Sequence, residues 1–583
     1  MLENSKNKDQ VSVFFSLENT LKQKDVIILL IVIAIINFAF IRKELYAQDL
    51  SQLPSTNPFS IGGSIGVNLS SYGAEGIQNR SKNFDYSLLG SLNLNIYGIN
   101  IPFNATISDQ NRSFTQPFNQ YGASPYYKWV KLHAGYRNIT FSPFTLAGHS
   151  FLGGGIELTP GSLRFGAVYG RFLRASEGDT NSYSSITPVY KRMGYSVKLG
   201  YGSATDNIDL IFLNAWDDST SISNPTIKKN LKPAENKVFG IRSAKSLWKN
   251  VFFEFDAAAS LYTMDLRADP IIDSTADQTL KSINEIININ SSSQLTSSLA
   301  TSLIYKIKSF ACRLNYKRID PDYKSMGAYY SESDVQNITF APTYSMLNNT
   351  LRLGGSIGWQ TDNLSNLKRN STNRLIGSFD ASYQEQTYGV NLRYTSYGIS
   401  QSKGYSMVID TLKISRVNHN LNATGRYTLN LNSTSHLFLL NLGYQSLNDN
   451  NALTAPSSET SNYTALFSYN MAISEIGLTL SSNINYIHSI VANNINDFLG
   501  PAINATYSPK SDYSLGAGIA YQSQSYNSNK AADIINLQLN ASYNITKNHS
   551  LRLDCNYLNN NSKTEQPSFS EARINLGYIY NFY

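Results

Sequence analysis

Cysteine, tryptophan and charge are all scarce in this chain. Of 583 residues only 2 are Cys and 4 are Trp, and 15% carry charge. Two cysteines allow at most one disulfide and no thiolate zinc site. The 48 Lys and Arg against 41 Asp and Glu leave a net +7. That excess is spread without a basic block, which excludes nucleic acid as a partner. Apolar runs of about 20 residues, which a membrane-spanning helix needs, are also missing. The one long run is Val26–Phe40 (VIILLIVIAIINFAF), so a bundle of transmembrane helices is excluded. Disorder is excluded by the 12% aromatic content, which an unfolded chain does not sustain in water.

Val26–Phe40 has the length of a signal-peptide core, and Leu45-Tyr46-Ala47 supplies a small residue for cleavage. Residues 1–48 therefore read as a signal peptide with a long leading segment, and 49–58 as a short periplasmic lead. No Cys stands near the cleavage point, so a lipoprotein is not expected.

What the chain has in quantity is Tyr (39), Phe (27) and Gly (36), set in a strict alternation. Apolar residues recur at every second position: Phe59-Ile61-Gly63-Ile65-Val67-Leu69, then Phe84-Tyr86-Leu88-Gly90-Leu92-Leu94-Ile96, and later Val251-Phe253-Phe255-Ala257-Ala259-Leu261. A period of two places one face of a strand in an apolar medium and the other in a polar one. Tyr closes the apolar face of strand after strand, for instance at Tyr201, Tyr305, Tyr344, Tyr394, Tyr444, Tyr486, Tyr521, Tyr543 and Tyr557. Strands of both directions end this way, which gives two aromatic belts, one at each membrane interface. Connections alternate in length: short after Tyr383, Tyr469, Tyr507 and Tyr543, long after Tyr394, Tyr444, Tyr486, Tyr521 and Tyr557. The chain ends inside a strand, Ile574-Leu576-Tyr578-Tyr580-Phe582, as the outer-membrane insertion machinery requires of its clients.

The expected fold is therefore all-β: one transmembrane antiparallel up-and-down β-barrel over 59–583, with both termini periplasmic and the outer-membrane lipid and lipopolysaccharide around it. Strand counts made from the two ends clash between Asn104 and Gly155. That stretch holds either one more strand, giving 26, or an excursion off the wall, giving 24. Asp109–Ser150 is accordingly the irregular segment, and an inward fold there narrows the lumen or docks a partner. In that case Arg112, Gln116, Asn119, Gln120 and Tyr121 line it.

On the polar face, first-half strands place charge inward: Lys131, His133, Arg137, Arg164 and Arg192, with Glu157, Lys198, Asp209, Arg242, Glu254 and Asp256. Late strands are neutral there (Asn418, Asn420, Asn422, Thr424; Gln538, Asn540, Ser542). Two serines match G-x-S-x-G, Ser64 and Ser356, but each lies mid-strand with no helix after it, which is not the sharp turn a nucleophile needs. The six histidines show no metal-ligand spacing, and no cofactor or metal is implied. Cys312 and Cys555 fall in the apolar register and read as small lipid-facing residues.

With these features the chain resembles stand-alone outer-membrane β-barrel proteins of Bacteroidetes-type, Gram-negative bacteria. The stretch Asn95–Phe172, including NQYGASPYYKWVKLHAGYRNITFSPFTLAGHSFLGGGIEL, carries that resemblance most specifically. It implies architecture and no assigned activity, so no site residues follow from it. A plug domain of the kind active transporters carry has no room between residues 48 and 59. The expected function is a porin-like channel or transport pore for polar solutes. The alternatives are a docking barrel for a secreted or surface protein, and a surface hydrolase using His149 and Ser150.

Overall fold

The computed structural model describes residues 58–109, 120–178, 187–270, 289–329, 332–403 and 413–582. The signal peptide assigned to 1–48, all but the last residue of the lead 49–58, and the lumen candidates Arg112, Gln116 and Asn119 lie outside the described residues. The chain divides into two units. One comprises Met1–Pro58 with Ala268–Ser291, the other Phe59–Arg267 with Ser292–Tyr583. In the smaller unit Pro270 bridges Asn290, and the Ser291 amide donates to the Asp269 carbonyl (3.0 Å).

The larger unit is one antiparallel sheet closed on itself. The first strand, Phe59–Glu75, pairs with the second, Phe84–Ile96, and also with the last, Phe569–Phe582, from Gly63 opposite Phe582 to Glu75 opposite Ser570. Of 27 strand segments, Gln120–Ala123 and Tyr126–Tyr127 share one place in the wall. Both bond Ile99–Ser108 on one side and Val130–Thr140 on the other. The barrel therefore has 26 strands, the larger of the two expected counts. The hidden strand escaped the alternation because Ser124-Pro125 breaks it in the middle, where proline has no N–H for the ladder. The chain reverses at Lys128 (φ 49°), so that Tyr126 lies opposite Lys131.

Closure removes the free edges that an open sheet would expose, and the pleat sorts side chains to the two faces. Along Asn207–Asp218, Ile208 and Leu210 point out and are about half exposed, whereas Asp209, Ile211, Leu213, Ala215 and Asp217 point in and are buried. The outward face carries the apolar series and, at both ends, tyrosines such as Tyr201, Tyr427, Tyr507 and Tyr543 at one rim and Tyr86, Tyr463, Tyr486 and Tyr521 at the other. Strands of 10–17 residues are long enough to cross the ~30 Å hydrocarbon layer, for which about 9–11 tilted residues suffice. A sheet of this kind, apolar outside and wet inside, is stable only in a membrane, and the barrel is an outer-membrane one.

Four histidines join the aromatic belts, where a ring can be half in lipid and half in water. His419, His436 and His549 each bond a tyrosine hydroxyl (Tyr394, Tyr469 and Tyr578; 2.8, 2.9 and 2.6 Å), and His488 bonds Asp497 (2.6 Å). Two of the long loops expected on the external side are instead hairpins. Past Tyr486 and Tyr521 the strands continue to Val491 and Tyr526 and reverse at Ala492-Asn493 and Asn527-Ser528. All four turn residues have positive φ (47°, 67°, 46° and 65°), the twist that matches tight hairpins. Polar side chains there stand above the belt in a ladder, and so read as loop from sequence.

Candidate functional site

The charged inner wall of the first half is paired with itself. Glu157 Oε1 lies 3.5 Å from Lys131 Nζ and 2.9 Å from His133 Nε2, and the other His133 nitrogen meets Ser124 Oγ at 3.0 Å. Arg164 forms a two-pronged bond to the buried Asp209 (2.8 and 2.9 Å). Arg192 does the same with Asp217 (2.8 and 3.3 Å), whose second oxygen also takes the Ala234 amide (3.2 Å). Arg137 Nε donates to the Ala123 carbonyl (3.1 Å). Gln120 lies in the wall opposite Thr106. Tyr121 stands on the outer face instead, 57% exposed and edge-on to Tyr136 (5.9 Å between rings). It does not line the lumen because its neighbour Gly122, whose missing Cβ is filled by the Arg137 guanidinium, takes the inward position.

Inside this wall the structure holds something the alternation did not announce. Two external connections fold into the lumen and meet there. Phe141–Leu146 joins Val130–Thr140 to Ala147–Leu158; Asp320–Asp334 joins Phe310–Ile319 to Val335–Met346. They are bonded to each other: Tyr323 Oη donates to the Phe144 carbonyl (2.5 Å), Ser325 Oγ to Thr145 O (2.6 Å), and the Ala147 amide to Gly327 O (2.9 Å). They are also bonded across the lumen to the wall. Ser142 Oγ donates to Asp256 (2.7 Å), Arg242 to the Phe141 carbonyl (3.3 Å), the Met326 amide to Asn236 (2.9 Å), and Ser260 Oγ to Lys324 O (2.6 Å). A segment between neighbouring strands can reach Asp256 and Arg242, far round the wall, only by crossing the interior.

Apolar residues of these loops pack on an apolar inner face. Phe141, Phe144, Leu146, Tyr323 and Met326 are buried against Phe151, Phe172, Ile211, Leu213, Val238 and Ile319. At about 1.5–3 kcal/mol for each large apolar side chain taken from water, the cluster holds the loops far more firmly than any one hydrogen bond. Lys198 completes the seat with its ammonium 4.9 Å from the Phe141 ring centre. Space for the loops is carved by glycines at inward positions. A Cβ on Gly166 would lie 2.8 Å from the Phe141 ring, one on Gly240 2.6 Å from the Thr145 methyl, and one on Gly194 2.9 Å from Phe172. Two signals pointed here. Leu210-Ile211-Phe212-Leu213 is apolar on both faces, and the external connection Phe141–Leu146 carries three large apolar residues.

His149 lies in the same region, buried between the rings of Tyr329 (4.2 Å) and Phe172 (5.3 Å), with Nδ1 against the Ser150 carbonyl (2.9 Å). That is an imidazole held in an aromatic stack. Ser64 sits mid-ladder between Ser91 and Asn581, and Ser356 Oγ bonds Ser378 Oγ (2.7 Å). Both cysteines are free thiols in the wall.

Tyr323 gives the inserted loops a pH response. Burial pushes its phenol above the ordinary value of 10.0, and the nearby Asp256 carboxylate adds to the effect. The folded state thus holds the proton more tightly than the unfolded one. The resulting stabilisation is complete below about pH 10 and declines as the pH rises through the folded value. Loosening of the loops at pH 11, read as a reversible increase in conductance, is the expected outcome. The Tyr323→Phe variant lacks the ionising group and should lose that increment while keeping the background of the other tyrosines.

The wall of the later strands is different. Gln538, Asn540 and Ser542 point inward and are exposed, and Asn418, Asn420, Asn422 and Thr424 are half exposed. Among the described residues the inserted loops pack on the wall between Ile139 and Val335, and this neutral arc is left to water.

No family model matches the sequence, and no curated protein matches it. Solved outer-membrane proteins align over much of its length at low identity. OccAB2 of Acinetobacter baumannii aligns at 12% identity, over 67% of this chain and 98% of that one, with a TM-score of 0.28. The outer-membrane protein OpdK of Pseudomonas aeruginosa aligns at 11%, over 60% and 94%, with a TM-score of 0.29. An outer-membrane channel of Pseudomonas putida F1 aligns at 14%, over 36% and 85%, with a TM-score of 0.21. Likeness this slight carries no functional information; the wall and the lumen do.

Proposed function

We propose that this barrel is a passive outer-membrane pore for small polar solutes, with a passage bounded by the inserted loops on one side and an amide and hydroxyl wall on the other. The observation that carries this reading is the division of the lumen. One arc is dry and filled by Phe141–Leu146 and Asp320–Tyr329, whereas the opposite arc exposes Gln538, Asn540 and Ser542. A barrel of 22 or more strands is wide enough to need a plug, and a partial one leaves a restricted aqueous path. Its neutral, hydrogen-bonding wall suits uncharged and weakly charged hydrophilic solutes. Most first-half charges, being paired, anchor the constriction and leave little field to select ions.

The terminal strand Phe569–Phe582 is the segment we assign to recognition by the insertion machinery. The Asn95–Phe172 stretch is the one we assign to kinship with barrels of Bacteroidetes-type bacteria. A docking role for a secreted or surface protein has no comparable observation behind it, and hydrolysis would require His149 to leave its stack. Reconstitution in planar bilayers tests the pore directly. Stable current steps, with liposome swelling by mono- and disaccharides and exclusion of larger oligomers, are expected. A correctly folded barrel that never conducts would overturn the proposal.

A further inference from the structure

The barrel closes where Phe569–Phe582 meets Phe59–Glu75, and the inner wall at this seam carries a recess of about 470 Å³. It lies towards the external end, since Tyr72 is near the outer end of its strand and Asp85 is the second residue of the descending one. It is also outside the arc covered by the inserted loops, so a solute entering from outside meets it on the open side.

Two arginines, Arg552 and Arg573, line it. Arg552 is bound by Asp554 (2.7 and 3.2 Å). Arg573 is not: among the described residues no carboxylate lies within ion-pair distance of it. Its guanidinium lies 5.4 Å from the centre of the Tyr72 ring and donates through Nη2 to Ser81 Oγ (3.2 Å). Tyr72 is itself fixed, buried and donating its hydroxyl to Glu571 (2.6 Å). The guanidinium is therefore held in place with donors left over. Around it the lining is hydrogen-bonding and neutral: Asn68, Ser70 and Asn575, with Gly577 bare so that Asn68 can approach. Asp85, opposite Ser70, also lines the recess.

We propose that this recess is an entry subsite for hydroxylated monocarboxylates of the sugar-acid type. Arg573 takes the carboxylate in its fork, the geometry for which guanidinium is suited. Asn68, Ser70 and Asn575 exchange hydrogen bonds with the hydroxyls. The volume falls within the range of small-molecule sites. The role as an entry point rests on the pore reading above, but binding does not, and the test separates the two.

Saturation-transfer NMR on the full barrel in detergent micelles reads binding without conduction. Glucuronate should show transfer, and glucose at the same concentration much less. Arg573→Gln should weaken glucuronate binding about tenfold or more, as expected for loss of a charge-assisted pair. The variant should run as the same compact unheated band as the parent barrel, which certifies its folding. Equal transfer from glucose, unchanged glucuronate binding by Arg573→Gln, or equally strong binding of glucose 6-phosphate would overturn the assignment. The last of these would make the recess a general anion site. Glucuronate binding by a barrel that does not conduct would leave the subsite standing and remove the pore.

Discussion

Exchange of residues 321–333 for an Asn-Gly turn raises single-channel conductance about threefold or more, because the lumen of so wide a barrel is closed only by what is folded into it. The exchange is local. The Asp334 amide already donates to the Asp320 carbonyl (3.1 Å), so the ends of the loop stand at hairpin distance, and Asn-Gly supplies the twist a two-residue connection needs. What is lost is Tyr323, Ser325, Met326 and Gly327, and with them the bonds that hold Phe144, Thr145 and Ala147 in place. Phe141–Leu146 then keeps only its wall contacts. The ladder of the barrel is untouched, so the protein should still insert and run as a compact band unheated. It should nevertheless unfold at a lower temperature, since Leu213, Val238 and Ile319 become wet at a cost of about 1.5–3 kcal/mol each. An intact barrel with parental conductance would mean that the ions never passed beside this loop.

The wall was legible in the sequence because it is local. Alternation at Phe84–Ile96 or Val251–Leu261 needs no knowledge of any other strand, and tyrosines at strand ends mark where lipid gives way to water. Direction and the periplasmic position of the C-terminus follow by counting. The count failed at Ser124-Pro125, where a strand is split into pieces of four and two residues, too short for any period to show. The loops were legible only in part. Phe141–Leu146 turns inward, and its apolar residues have no place on an external surface. Asp320–Asp334 reads as an ordinary polar connection, since it carries Asp320, Asp322, Lys324, Ser325, Glu332, Ser333 and Asp334. Its insertion depends on an apolar floor contributed by Leu213 and Val238, about a hundred residues earlier, and no pattern within the loop encodes that. The partners of the inward charges lay beyond the pattern. Pairing of Arg164 with Asp209, or Arg192 with Asp217, depends on which strands are neighbours and on which residues stand near each other across the ladder.

The glycines of the inner wall allow the constriction to be moved without shortening a loop. Gly166 and Gly240 have ordinary strand backbone, so a β-branched residue fits their conformation; the obstacle is space. A Cβ at Gly166 would press on the Phe141 ring at 2.8 and 2.9 Å, and one at Gly240 on Thr145 at 2.6 Å. The ring cannot slide deeper, because its own carbonyl is tied to Arg242 and Ser142 is tied to Asp256. Overpacking of this kind costs about 1–3 kcal/mol at each site. Two such sites together cost about 2–6 kcal/mol, against about 1 kcal/mol for each of the four or so hydrogen bonds that fix the segment, and Phe141 loses the burial its seat supplied. The Gly166→Val, Gly240→Val double variant is therefore expected to expel Phe141–Leu146 from the lumen. Conductance should about double, and chymotrypsin added from the external side should cut at Phe141 or Phe144, which the parent protects by burial. Gly425→Val, on the lipid face where nothing lies within 4 Å, controls for a general effect of valine in the wall and should change neither reading. Parental conductance together with resistance to cleavage in the double variant would show that the glycines do not make room for the loops, and that the constriction is held by the Asp320–Asp334 segment alone.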